Sequence, residues 1–204
     1  MSRYPGAEAS ARLGWWRAHR FLLLRRLCQF GVLGLFLLGP LAGVWILKGN
    51  LSSSLLLETV PLTDPLTLLQ SVAAGHWPIT TLWLGAGLVL LGYWLVGGRV
   101  FCSWVCPVNL VTDAAAWLRA RLGLKGNGQF NRNTRYWLLA MVLVAPAITG
   151  VLVWELVNPV SLAMRGLLFG MGAGWGLLVA LFLFDLFVVE RGWCGHLCPV
   201  GAFY

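Results

Sequence analysis

Arg99-Val-Phe-Cys102-Ser-Trp-Val-Cys106-Pro107-Val108 returns later in the chain as Arg191-Gly-Trp-Cys194-Gly-His-Leu-Cys198-Pro199-Val200. Both copies set an arginine three residues ahead of the first cysteine and an aromatic side chain immediately before it. Both keep three residues between the cysteines and end in Pro-Val. Four of the five cysteines fall in these copies, and each copy follows a long apolar run. Thiol chemistry gathered in two matching places implies a redox or metal-handling membrane protein rather than a channel or a plain anchor.

The apolar runs set the class. The chain of 204 residues is 59% apolar and 11% charged, with twelve tryptophans, which lies outside the range of soluble domains. Four stretches have the roughly 20 residues that cross a hydrocarbon core: Leu27–Leu47, Ile79–Gly98, Tyr136–Trp154 and Gly172–Val189. The expected fold is an all-α integral membrane protein of four transmembrane helices.

A net charge of +8 invites a nucleic-acid reading, but its distribution points elsewhere. Arg3, Arg12, Arg17, Arg20, Arg25 and Arg26 precede the first span. Arg99, Arg119, Arg121, Lys125, Arg132 and Arg135 surround the loop between the second and third, while the other two loops hold Lys48 and Arg165. Basic residues accumulate on the cytoplasmic side of spans. The reading is therefore a multi-pass protein of the bacterial inner membrane, with both termini and both Cys motifs cytoplasmic and no nucleic-acid partner. Residues 1–26 form a basic segment in which Trp15-Trp16-Arg17-Ala-His19-Arg20-Phe21 suits an amphipathic helix in the headgroup region.

Residues 27–204 then divide into two repeats, about 27–113 and 136–204. Asp64-Pro65 precedes the second span and Asn158-Pro159 the fourth. Each Asx-Pro pair can cap a short helix, expected on the extracytoplasmic side. Every unit crosses the membrane an even number of times, so the repeats are parallel, related by an axis along the membrane normal. Both Cys motifs then reach one face.

Cysteines four apart share one face of an α-helix, and the proline after the second cysteine ends that helix and opens another. Thiolates near a helix start and near Arg99 or Arg191 would have lowered pKa values. Neither pair alone holds a cubane cluster, but Cys102, Cys106, Cys194 and Cys198 together supply four thiolates. Three other uses stay open: structural zinc or another metal, reversible thiol redox chemistry, and inert packing. Disulfides are rare in a reducing cytoplasm. Cys28 reads as a packing residue.

Five stretches carry a resemblance: Trp15-Trp16-Arg17-Ala-His19-Arg20, Arg25-Arg26-Leu27-Cys28-Gln29-Phe30, Thr59-Val-Pro-Leu-Thr-Asp64-Pro65, and the two Cys motifs, the second running on into Gly201-Ala. Together they resemble the NapH family, the membrane ferredoxin-type subunits that supply electrons to periplasmic nitrate reductase. More distantly the layout is similar to membrane polyferredoxins of the NosR and FixG type. The resemblance implies quinol oxidation at the inner membrane, 4Fe-4S chemistry, and transfer by way of a periplasmic ferredoxin partner, NapG, toward nitrate reductase. That family continues into a cytoplasmic domain with ferredoxin-type cysteine runs for two [4Fe-4S] clusters. The sequence reaches Tyr204 without such runs, so that domain is expected to be absent here. Two other functions fit the pattern: a non-catalytic anchor that docks ferredoxin partners, and a metal-handling membrane protein, for which Met- or His-rich tracts are missing.

Asp185, in Phe182-Leu-Phe-Asp185-Leu-Phe near the end of the fourth span, is the candidate proton acceptor for quinol, because an intramembrane carboxylate is costly and by default functional. A structural ion pair is its alternative. His196 reads as a solvated turn residue, Glu155 and His76 as interfacial, and Trp154 and Trp193 as packing or belt residues.

Overall fold

The computed structural model describes residues 14–97, 100–124, 131, 133–170 and 172–204. Arg3, Arg12, Arg99, Lys125 and Arg132 lie outside the described residues, as does most of the basic segment before Trp15. From Trp15 the chain is mostly helical, and the first helix, α1, runs unbroken over Trp15–Ala42. The boundary expected at 26/27 is therefore not a break in structure. Gly43, in the left-handed conformation at φ 71°, closes the helix by donating its N–H to the Gly39 carbonyl. At 28 residues α1 is about 42 Å long, and it is the one described helix long and apolar enough by itself to cross a membrane. Shorter apolar helices accompany it, the longest of them α3 (Thr80–Val96), α5 (Thr134–Thr149) and α8 (Gly172–Phe187).

The all-α expectation needs correction. Beyond α1 the chain makes an antiparallel meander of β1 (Leu47–Gly49), β2 (Ser53–Leu56) and β3 (Val60–Thr63). Leu47, expected to end the first span, instead pairs with Leu56 in the sheet. The three-residue β2–β3 connection puts Leu57 and Glu58 at φ 50° and 57°, and the Thr59 N–H closes the turn on the Leu56 carbonyl at 3.1 Å. Pairing the backbone groups of this segment with each other is what lets an irregular stretch pack inward. β3 lies against α3 at Gly85, where a Cβ would stand 2.9 Å from the Thr63 hydroxyl and 3.1 Å from the Pro61 carbonyl.

Each Asx-Pro pair starts a short helix, as its sequence predicts. α2 (Pro65–Ala73) is capped by Asp64, and α7 (Pro159–Phe169) by Asn158, whose side chain accepts from the Val160 N–H at 3.1 Å. α2 then packs on α3, and α7 on α8. The second pair meets at Gly174, where a Cβ would come within 2.9 Å of the Leu162 carbonyl. A five-residue helix, α6 (Val153–Val157), leads into the second cap. The remaining elements follow the Cys motifs: α4 (Val108–Leu122), which lies along α8, and α9 (Val200–Phe203), which touches α5.

Candidate metal centre

Both Cys-x3-Cys segments wind as π turns, not as the α-helix their spacing suggests. Phe101–Val105 forms the first and Trp193–Leu197 the second. The Cys106 N–H reaches back five residues to the Phe101 carbonyl at 2.9 Å, and the Cys198 N–H to the Trp193 carbonyl at 2.8 Å. Such wide turns are rare and concentrate at functional sites. The proline after each second cysteine then acts as expected. Cys106 (φ −63°, ψ 120°) and Cys198 (φ −69°, ψ 113°) are extended, and Pro107 and Pro199 open α4 and α9.

Cys102, Cys106, Cys194 and Cys198 line a single cavity of about 110 Å³. Trp154, Asn158, Pro159 and Arg135 share its wall. The two copies, 92 positions apart in sequence, therefore meet. The caps come with them: Asn158 and Pro159 are buried against the cysteines, and Leu66, one residue into α2, packs with Trp154 and Val200. This corrects the expectation of capped helices on the opposite surface. Both short helices start deep in the protein, beside the thiols. Cys28 belongs to α1, outside this group.

The thiols behave oppositely to the sequence expectation. Burial pushes Cys194 up to about 12, with Cys198 adding to the effect and the Thr112 hydroxyl opposing it. Cys198 rises to about 11, again chiefly by burial, against the Gly201 N–H. Cys106 is raised well above its usual range by burial, then by Cys194, Cys198 and Cys102. Arg191 does not offset this, because its guanidinium turns to Asp113 at 3.1 Å; Arg99 lies outside the described residues. Burial therefore favours the protonated form of Cys106, Cys194 and Cys198 over the thiolate.

Several residues that position the site carried no assignment in the sequence. Asp113 on α4 binds Arg25 and, at 2.7 Å, Arg26 of α1, besides Arg191 at the mouth of the second motif. Gln29, fully buried, accepts from Arg26 at 2.8 Å and donates to the Ser103 and Cys106 carbonyls at 3.4 Å. Asn109 donates to the Cys102 carbonyl at 3.1 Å. Thr112 lies 3.8 Å from the Cys194 sulfur, so the helix after the first motif touches the second. The Arg25-Arg26…Gln29 run was visible in sequence, but its targets, 74 to 88 positions away, were not.

Asp185 is fully buried at the end of α8, where it accepts from the Trp193 N–H at 3.1 Å and so anchors the second π turn. Arg119 donates to the carbonyls of Asp185 and Leu186. His196 is half-buried and its buried Nδ1 has no partner among the described residues, so it is not a solvated turn residue. Glu155, expected at an interface, accepts from the Ser52 hydroxyl at 3.2 Å and faces Arg165 at 3.8 Å.

A model of a 4Fe-4S binding domain matches residues 79–125 and 167–204, one Cys motif in each stretch. The ferredoxin-type protein NapH of Escherichia coli is 59% identical over 99% of this chain and 70% of its own length. NapH of Haemophilus influenzae is 50% identical over the same shares. The methylamine utilization ferredoxin-type protein MauN of Paracoccus denitrificans is 56% identical over 97% of this chain and 70% of its own. No solved structure matches.

Proposed function

The chain belongs to the family of NapH and MauN ferredoxin-type proteins, and from that premise we propose that it is a membrane subunit of a quinol-oxidising electron-transfer system supplying periplasmic nitrate reductase. The observation that carries this is the convergence of four cysteines from two distant motifs on one cavity. Cys102, Cys106, Cys194 and Cys198 are the thiolates that would hold a [4Fe-4S] cluster. Four thiols spread around a cavity suit a centre in which each thiolate takes its own iron. When bound, such a centre accepts and passes on one electron at a time.

The chain's own residues supply the surroundings. Trp154, Val160 and Trp193 exclude water from the thiols, and Arg135 brings positive charge to the cavity wall. Gln29 and Asn109 hold the carbonyls of the first π turn, and Asp185 holds the amide of the second. Asp185 is on this reading a positioning residue. Quinol oxidation breaks two O–H bonds and releases two protons and two electrons. The acceptor chain beyond the thiol centre is proposed to run through a NapG-like periplasmic ferredoxin partner.

The membrane arrangement is part of the proposal. α1, α3, α5 and α8 cross the bilayer as two parallel two-helix repeats, and α2 and α7 are half-length helices begun inside the protein. Backbone of that kind is tolerated at membrane depth when protein surrounds it. Large apolar side chains left exposed, among them Trp94 at 79%, Leu41 at 81% and Ile148 at 80%, support lipid contact. The cluster of Arg25, Arg26 and Arg191 around Asp113 supports one shared, basic, cytoplasmic end.

The test is anaerobic purification of the full-length protein, followed by its visible and electron paramagnetic spectra before and after adding quinol. Cluster absorption bleached by quinol is expected; an iron-loaded protein that quinol leaves oxidised would overturn quinol oxidation. The 56% identity to MauN favours a second reading of the acceptor, electron transfer in methylamine utilization. Deleting the gene and assaying growth on nitrate and on methylamine separates the two.

A further inference from the structure

A second cavity, of about 170 Å³, lies between α1, α3 and the sheet. Its walls are mostly apolar, with Val32 and Phe36 from α1, Leu62 from β3 and Val89 from α3. Five polar side chains also line it: Ser54, Thr63, Asp64, Tyr93 and Tyr204. A cavity of roughly 150 Å³ takes one benzene ring, so the space is of one-ring size. The Tyr204 hydroxyl donates to Asp64 at 2.8 Å. Thr63, only 4% exposed, has a hydroxyl with no partner among the described residues, a cost normally met by a bound group or water.

Its position matters as much as its lining. Phe101, the residue before Cys102, stands in the wall of this cavity and of the thiol cavity alike. Tyr93 and Tyr204 pack their rings on Phe101 at 6.1 and 5.8 Å between centroids. On the outer side, α3 exposes Leu88, Leu91 and Leu95 and α1 exposes Leu27 and Leu38, an apolar approach for a lipid-soluble molecule. The other half has no such arrangement at its cap. Asn158 is bonded to Val160 and Ser161 and faces the thiols directly.

We propose that this cavity binds the ring of a membrane quinol, with Asp64 and Tyr204 hydrogen-bonding its oxygens and Phe101 separating it from the thiol centre. The assignment rests on the quinol-oxidising reading above. A carboxylate accepts the O–H of a quinol, and the Tyr204 hydroxyl can accept from a quinol or turn its one proton from Asp64 to a quinone oxygen. An apolar cavity with a few convergent polar groups is the usual form of such a site. The acid that meets quinol is therefore Asp64, and not Asp185.

The experiment is labelling of the full-length protein in membranes with a photoreactive azidoquinone, competed by unmodified quinol and mapped by mass spectrometry. Label on α1 around Val32–Phe36 or on α3 around Val89–Tyr93 is expected. Val89→Trp fills the space and should cut labelling by roughly tenfold or more, with iron content unchanged. Tyr204→Phe leaves Leu66 and Thr67 bonded to Asp64, so it should fold, and it should weaken quinone binding by roughly tenfold, the loss of one buried hydrogen bond. Label mapping elsewhere, or full labelling of an iron-loaded Val89→Trp protein, overturns the site while quinol reduction of the spectrum stands. Wild-type protein that takes no competable label and is not reduced by quinol brings down both the site and the reading beneath it.

Discussion

The first half of the molecule, α1 to α4, and the second, α5 to α9, share one local plan and diverge at one joint. Each half has an Asx-Pro cap, a helix hairpin, a π turn with extended Cys-Pro, and a following helix. Between α1 and α2 the chain spends residues 43–64 on a three-stranded sheet, whereas residues 150–158 hold only α6. The shared parts are those dictated by residues next to one another, chiefly proline. The sheet changes what the cap faces. Asp64 meets Tyr204 and an apolar cavity, while Asn158 meets the thiols.

The sharpest way to break the equivalence of the halves is to remove one thiol from each. Cys106→Ser and Cys198→Ser should each abolish the same cluster spectrum. A change in the layer outside a metal already costs roughly 10–100-fold in affinity, and loss of a ligand should exceed that. A variant in one half that keeps a full cluster signal, while its counterpart loses it, would mean two separate centres.

Asp113 joins the halves through Arg25, Arg26 and Arg191. Its side chain is 12% exposed and Arg191 is 61% exposed. Asp113→Asn leaves two half-buried guanidinium groups without their carboxylate and should cost about 2–3 kcal/mol, below the roughly 3–5 of a fully buried pair because water reaches the arginines. Arg191→Gln should cost under about 1 kcal/mol. Denaturant unfolding in mild detergent measures both; equal losses would show that the exposed arm of the cluster matters as much as the buried one.

Exchanging the caps tests the difference directly. Asp64→Asn keeps a good N-cap and should change stability by less than about 1 kcal/mol. Asn158→Asp puts a carboxylate beside four thiols in a buried wall and should cost about 1–3 kcal/mol, with weaker iron loading. Iron content and thermal midpoint report the two effects. Equal tolerance of both exchanges would erase the distinction drawn between the caps.

The smallest effect is electrostatic. The cluster-free protein binds protons on Cys194 and Cys198 more tightly than the unfolded chain does, at about 12 and about 11 against 9.0. That contribution is complete below about pH 9 and is lost as the pH rises through 9 toward the folded values, because the folded state then holds more protons. Each thiol should account for about 1 kcal/mol of lost stability by about pH 10. Cys198→Ser should flatten the slope of midpoint against pH, and an unchanged slope would remove the thiols as its source.

The sequence by itself determined whatever depends on neighbours along the chain. Apolar runs located α3, α5 and α8 to within about five residues at each end, whereas α1 begins at Trp15, well before the expected Leu27. Asp64-Pro65 and Asn158-Pro159 marked two helix starts, and Cys-Pro marked where each motif turns. The motif repeat also pointed to four cysteines acting together. Only the tertiary structure decided the π winding of the motifs, since four-residue spacing fits an α turn equally well. It also decided the sheet at 47–63, of which the expected first span reached only Leu47. The burial that raises the thiols, the Asp113 cluster and the inward-facing caps belong to the same class. Each depends on which distant segments come to lie against one another, and desolvation and ion pairing act through space, not along the chain.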